Sequence, residues 1–133
     1  MSINEILTVL KGAADMGDCW HLFVFPLVFN VLDIVTGFTS AVANQNVSSS
    51  AMREGLFHKL GFIFALILAA LLQYASGLLD LGIEIPTLAA VAVFIILTEA
   101  VSILENIAEM NPALADNGFF KIFESVIHSG EKD

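Results

Sequence analysis

A chain of 133 residues has room for one domain, and this one is 57% hydrophobic with only 14% charged residues, against about a quarter in soluble domains. Its formal net charge of −9 argues against a nucleic-acid partner, because phosphate backbones are bound through Lys and Arg. The single cysteine, Cys19, excludes an internal disulfide.

The first segment, residues 2–14, is predicted to form a short amphipathic helix. Ser2 and Glu5 have the spacing of a capping box. Four apolar residues fall on one face of this helix: Ile3, Ile6, Leu7 and Leu10. We expect this helix to lie on the membrane or to pack on the rest of the chain. The alternative is that it is a mobile segment that controls when the protein becomes active.

Three apolar segments are predicted to span a membrane, over residues 20–43, 60–79 and 85–104. At about 1.5 Å per residue they reach roughly 30–36 Å, which is enough to cross the hydrocarbon core. Residues 44–59 are predicted to be a polar connector. Only residues 80–84 separate the last two spans, so these spans should form an antiparallel hairpin.

After a stop signal at Asn111-Pro112, residues 112–128 are predicted to form a second amphipathic helix. The predicted fold class is therefore an all-α integral membrane protein with three transmembrane helices and short amphipathic helices at both termini. Residues 1–133 make a single membrane domain.

Interfacial anchors are expected at Trp20, Arg53 and Lys59. The connector over residues 44–59 carries both of these cations, whereas the link over residues 80–84 has no Lys or Arg. Positive-inside bias then places the first loop in the cytoplasm, the N-terminus outside and the C-terminus inside.

The first span carries one narrow polar seam, which begins one turn after Pro26. At about 100° per residue its members fall within or beside an arc of about 80°. They are Asn30, Asp33, Thr36, Gly37, Ser40 and Asn44. A carboxylate near the bilayer centre costs about 2.5–3.5 kcal/mol on insertion scales, so Asp33 must be protonated, paired, or in contact with protein or water.

Two interpretations of the polar seam remain open. It could be buried within the chain's own bundle, or it could meet other copies and, once assembled, water. The near-heptad recurrence of the polar residues favours the second interpretation.

The third span carries a second costly acid, Glu99, and Ser102 and Asn106 share its face. No Lys or Arg lies within a predicted span, so we do not expect a static salt bridge to Asp33 or Glu99.

Small residues recur every four positions along the second span, a pattern that lets helices approach closely. The row comprises Gly61, Ala65 and Ala69, and Gln73 and Gly77 continue it at the same spacing. It is expected to pack the second span on its neighbours within the chain, with a dimerisation face between copies as the alternative.

The sequence has no HExxH, CxxC or glycine-rich phosphate motif, and its three histidines lie far apart. We expect neither enzymatic activity nor a metal or other cofactor.

Three stretches carry a family resemblance: LDIVTG over Leu32–Gly37, Gly55–Lys59 leading into an apolar helix, and EAVSILEN over Glu99–Asn106. Together they resemble the toxin secretion/phage lysis holin family over roughly residues 20–125. The resemblance implies a protein of the host cytoplasmic membrane that accumulates, oligomerises and forms lesions. It also implies a functional partnership with a released endolysin, and some relatives are tied to the release of large toxins.

Under this hypothesis the polar seam is hidden by the second and third spans until copies exchange intramolecular for intermolecular contacts. Two other functions remain open. One is a narrow ion or proton pathway with Asp33 and Glu99 as relay groups. The other is a scaffold subunit whose seam docks a different membrane protein.

Overall fold

The computed structural model describes residues 2–4, 19–80, 87–116 and 118–130, and within these residues all regular structure is helical. The helices are α1 (His21–Ala43), α2 (Ser49–Leu78), α3 (Thr87–Met110), α4 (Pro112–Asp116) and α5 (Phe119–Gly130). Three of them, α1, α2 and α3, are long and apolar enough to cross a membrane. The predicted fold class is thus confirmed. The N-terminal helix predicted over residues 2–14 lies almost wholly outside the described residues.

The end of α1 is closed by a tight backbone motif. Gln45 adopts a left-handed conformation with φ of 54°. The N–H of Asn46 donates to the carbonyl of Ala41 at 2.8 Å, and the N–H of Gln45 donates to the carbonyl of Val42 at 3.2 Å. This Schellman arrangement satisfies the last carbonyls of α1 and turns the chain within a few residues. The predicted and observed ends of the first span therefore coincide.

The start of α2 differs from the prediction. Ser48 is extended, and its hydroxyl accepts a hydrogen bond from the N–H of Ala51 at 3.4 Å, so the helix is capped and begins at Ser49. The prediction that residues 44–59 form a connector was wrong for residues 49–59, which are helical. It was based on their polar composition, which was taken to indicate a loop. A capped helix can continue beyond the lipid, and the 30 residues of α2 extend about 45 Å.

The three spanning helices form one bundle in which α1 packs mainly on α3. Helices α2 and α3 are antiparallel, since Lys59 in the first half of α2 contacts Glu99 in the middle of α3, while Gln73 near the end of α2 contacts Leu88 at the start of α3. Helix α1 runs parallel to α3, and Ser40 near its end meets Glu109 near the end of α3.

The bundle interior is divided along its length into two halves. Around the start of α1 and α3 the interior is mainly apolar, with Gln73 and the buried Ser76 of α2 as polar exceptions. The buried members of this apolar half are Leu66, Ala70, Leu88, Ala92 and Ile95, with Leu22 and Phe23 of α1 packed against them. Around the end of α1 and α3 the interior holds polar and charged side chains. The outer surfaces carry exposed large apolar side chains such as Phe25, Leu68 and Phe94, as expected where lipid is the solvent.

The C-terminal helix predicted over residues 112–128 is instead two helices. The five-residue α4 follows α3 directly, and α5 begins after Gly118, whose φ of 71° is left-handed. Glycine adopts that conformation readily, so the chain changes direction there. Helix α5 keeps the predicted amphipathic pattern, with Ile122 and Phe123 exposed.

Candidate functional site

Three charged side chains, one from each spanning helix, meet in the polar half of the bundle. The Nζ atom of Lys59 lies 2.6 Å from Asp33 Oδ2 and 2.5 Å from Glu99 Oε2. The side chains of Lys59, Asp33 and Glu99 are only 12%, 15% and 3% exposed. We refer to these residues as the ion triad. It carries two carboxylates and one ammonium group, so its formal charge with all three ionised is −1.

The ion triad corrects two expectations. A salt bridge to the intramembrane acids was not expected, and Lys59 was expected at the interface as an anchor. Both followed from starting the second span at residue 60, which left Lys59 in a loop. The early start of α2 places its ammonium group inside the bundle instead.

The position of Lys59 on α2 follows from helical periodicity. Lys59, Leu66 and Gln73 recur at intervals of seven, so they lie along one face of the helix. Leu66 is fully buried in the apolar half, and Gln73 contacts α3. Lys59 stands on this face seven residues before Leu66, and that spacing predicts an inward position. The signal was not used because the predicted span, set by hydropathy, began at residue 60.

Asn106 connects α3 to the polar seam of α1. Its Nδ2 donates to Asp33 Oδ1 at 2.9 Å and to Thr36 Oγ1 at 3.1 Å. A Cβ atom at Gly37 would lie 3.4 Å from the same nitrogen, so the absent side chain of Gly37 leaves room for the amide. Asp33 is therefore held by an ammonium group on one oxygen and an amide on the other.

The network continues to the end of the bundle through Ser40. Its hydroxyl donates to Glu109 Oε2 at 2.7 Å, and Asn44 Nδ2 donates to the Ser40 carbonyl at 3.0 Å. Ser40 is buried, whereas Asn44 is exposed. Glu109 was missed by the sequence analysis. Its position three residues after Asn106, on an adjoining face of α3, was the available signal.

Asn30 marks the inner end of the polar seam. It is 4% exposed, and neither atom of its amide has a hydrogen-bond partner among the described residues. An unpaired buried polar group costs about 1–3 kcal/mol. The polar network therefore stops at Asn30, and the apolar half of the bundle lies beyond it.

The remaining predicted residues are spread over several environments. Ser102 is half-buried on α3. In the small-residue row of α2, Ala69 is buried and Ala65 half-buried, while Gly61 and Gly77 face open space. Only the middle of that row thus packs inside the bundle.

Three predicted residues lie near the helix ends. Gln73 uses its Oε1 to accept the N–H of Leu88 at 3.1 Å, in the first turn of α3. Trp20 and Arg53 are exposed, at the start of α1 and in the early part of α2.

A groove of about 260 Å³ runs between α1 and the early part of α2. Asp33 and Lys59 line it, together with small residues such as Gly37, Ala41 and Gly55. Two members of the ion triad therefore border a groove whose wall also carries larger apolar side chains such as Phe38 and Leu56. Among the described residues no cluster of His, Cys, Asp and Glu is suited to a metal ion.

Comparison with known proteins gives one match. A model of the bacteriophage holin family matches residues 11–116, a region that includes all three spanning helices. No curated protein and no solved structure matches the chain.

Proposed function

Because the chain belongs to the bacteriophage holin family, we propose that it accumulates in the bacterial cytoplasmic membrane and assembles into a homo-oligomeric lesion. The lesion would release an endolysin or other large cargo. The bacteriophage holin family is not an enzyme family, and the proposed role requires no catalysis and no cofactor.

The observation that carries the proposal is the polar network on one face of α1. The polar seam, with Glu99, Ser102 and Asn106 of α3, places costly groups at membrane depth, where lipid offers no hydrogen bonds. Within one copy these groups are satisfied mainly by each other. In an assembly the same groups can bind neighbouring copies or water. A polar or packing interaction between helices in a membrane is worth about 0.6–2 kcal/mol, so exchange is possible once copies are dense.

The division of the bundle interior favours assembly over a pathway through one chain. The polar seam of α1 reaches inward only to Asn30, and a mainly apolar half closes the other end. Ions or protons would have to cross that half, where Gln73 already accepts the Leu88 N–H and Ser76 already donates to the Gln73 carbonyl. A wide lesion therefore requires several copies, with the polar seam facing either the lumen or a neighbouring copy.

We place the loop between α1 and α2 in the cytoplasm, the N-terminus outside and the C-terminus inside. Arg53 is exposed in the early part of α2, at the end of the bundle that this loop joins. The polar half then faces the cytoplasm, where dense copies would first meet water and cargo.

The proposal is tested by expressing the chain in bacteria together with a large cytosolic reporter enzyme. We expect abrupt escape of the enzyme after a period of accumulation. Asp33→Leu should change the time or extent of escape by several-fold while the amount of inserted protein stays nearly constant. Thr39→Val is the matched control, since Thr39 is exposed on α1 and donates only to the Val35 carbonyl of its own helix.

Steady growth without reporter escape at high membrane levels of the wild-type chain would contradict the proposal. Escape of ions without escape of the enzyme would favour the narrow pathway instead. Isolation in a stable complex with a different membrane protein, without any change in permeability, would favour the scaffold.

A further inference from the structure

Lys59 is the only cation in the described part of the bundle interior, and it contacts an acid on each of the two other helices. Its Nζ is thus the single atom that joins α1, α2 and α3 at this depth. Both acids are turned inward toward the same ammonium group, and Glu99 is almost completely buried. Removing Lys59 would leave two carboxylates close together with no counter-charge.

The groove between α1 and α2 shows where this arrangement is weakest. Asp33 and Lys59 lie at its wall, and the neighbouring residues Gly37, Ala41 and Gly55 are small. Helix α1 packs mainly on α3 and only lightly on α2. Because the contact between α1 and α2 is sparse, the Asp33–Lys59 ion pair provides a large part of the attachment of α2 to α1 at this level.

We infer that the ion triad is a latch that holds the polar seam closed in each copy and sets when the proposed lesion opens. This inference rests on the proposed function, because a latch matters only if the seam later exchanges partners. With all three side chains ionised, the closed state buries a formal charge of −1, and the open state returns that charge to water or to neighbouring copies.

The charge balance gives opposite expectations for two variants. Lys59→Met leaves two unpaired carboxylates in the closed state, which strongly disfavours that state. Glu99→Gln removes the excess negative charge and keeps the Asp33–Lys59 pair, while its amide oxygen can still accept from the ammonium group. The first variant should open the bundle, and the second should hold it closed.

The latch is measured directly by distances in purified protein reconstituted in lipid vesicles. Spin labels are attached to Val35→Cys on α1 and Phe57→Cys on α2, both exposed and each two residues from a member of the ion triad, in a Cys19→Ala background. Pulsed electron paramagnetic resonance should give one short distance for the otherwise unchanged chain. Lys59→Met should raise the fraction with a longer distance on the order of 100-fold. Glu99→Gln should show only the short distance.

Reporter escape in bacteria gives the second readout. We expect earlier escape with Lys59→Met and later escape with Glu99→Gln. Arg53→Gln is the control, because it also removes a positive charge from the early part of α2 but from an exposed side chain. Arg53→Gln should leave the distance distribution unchanged. If loss of a positive charge alters the orientation in the membrane, Arg53→Gln and Lys59→Met should show that effect equally.

The latch is refuted if Lys59→Met keeps the distance distribution of the parent chain, or if Glu99→Gln opens the bundle. It is also refuted if Arg53→Gln opens the bundle as much as Lys59→Met. If the wild-type chain releases no reporter, the proposed function fails, but the distances still decide whether Lys59 holds the three helices together.

Discussion

At the scale of single residues, Asn106 joins α3 to α1 through several hydrogen bonds from one amide nitrogen. Its Nδ2 reaches the Asp33 carboxylate, the Thr36 hydroxyl and, at 3.5 Å, the Asp33 carbonyl. Hydrogen bonds to charged groups are worth more than those between neutral groups. Asn106 therefore contributes to bundle stability independently of any role in a lesion.

We predict that Asn106→Leu lowers the free energy of unfolding in detergent micelles by about 1–2 kcal/mol. The Leu side chain is similar in size but leaves Asp33 Oδ1 and Thr36 Oγ1 without this donor. Denaturant titration followed by circular dichroism measures the change. Thr39→Val should change the same quantity by less than about 0.5 kcal/mol. Equal effects of the two variants would show that the Asn106 hydrogen bonds add no stability.

The polar residues of the candidate site could largely be predicted, but their partners could not. Helical periodicity placed Asn30, Asp33 and Ser40 on one face of α1, and all three lie inside the bundle. Periodicity gives the face of one helix and says nothing about which helix covers it. The anchor role predicted for Lys59 was wrong and Glu109 was missed, because the roles of both arise from contacts between residues far apart in sequence.

At the scale of elements, helix boundaries depended on whether a local signal marked them. The end of α1 coincided with a polar Asn-Gln-Asn sequence and was predicted correctly. The start of α2 is fixed by the Ser48 cap, which lies in a polar region. The hydropathy pattern indicates only where the apolar part of the helix begins. A spanning segment and the helix that contains it are different objects, and α2 is longer than its apolar part.

Gln73 illustrates a contact between elements that the small-residue row did not predict. Its side chain accepts the N–H of Leu88, one of the first-turn amides of α3 that have no partner within their own helix. We predict that Gln73→Leu speeds hydrogen exchange at the Leu88 amide by on the order of tenfold. Nuclear magnetic resonance in micelles measures the rate.

Gln73→Glu is the matched variant for this test, because its carboxylate keeps an acceptor at the same place. It should retain slow exchange at Leu88. If Gln73→Leu leaves the exchange rate unchanged, then the Gln73 side chain does not protect the first turn of α3.

At the scale of the whole molecule, the two halves of the bundle interior give the protein a direction across the membrane. The polar half lies beside the loop between α1 and α2, which we place in the cytoplasm. We predict that Asn46→Cys is protected in intact cells from a membrane-impermeant thiol reagent. Asp80→Cys, at the opposite end of α2, should be labelled. Both variants are made in a Cys19→Ala background and assayed before any reporter escapes.

Labelling of Asn46→Cys in intact cells, with protection of Asp80→Cys, would show the reverse orientation. Permeabilised cells serve as the control, since both positions are exposed and should react there. The few cations in the sequence made orientation a weaker prediction than the number of spans, because topology depends on charge bias while span number depends on apolar length.

The hydrogen bond between Asp33 and Asn106 also has a consequence for biosynthesis. Asn106 lies 73 residues after Asp33 in the chain. At a translation rate of about 5–20 residues per second, α1 leaves the ribosome roughly 4–15 seconds before that partner. Throughout this interval the Asp33 carboxylate lacks its amide donor, so α1 alone in lipid would carry the cost of that group, about 2.5–3.5 kcal/mol. Joint release of the nascent helices from the translocation machinery would avoid this cost.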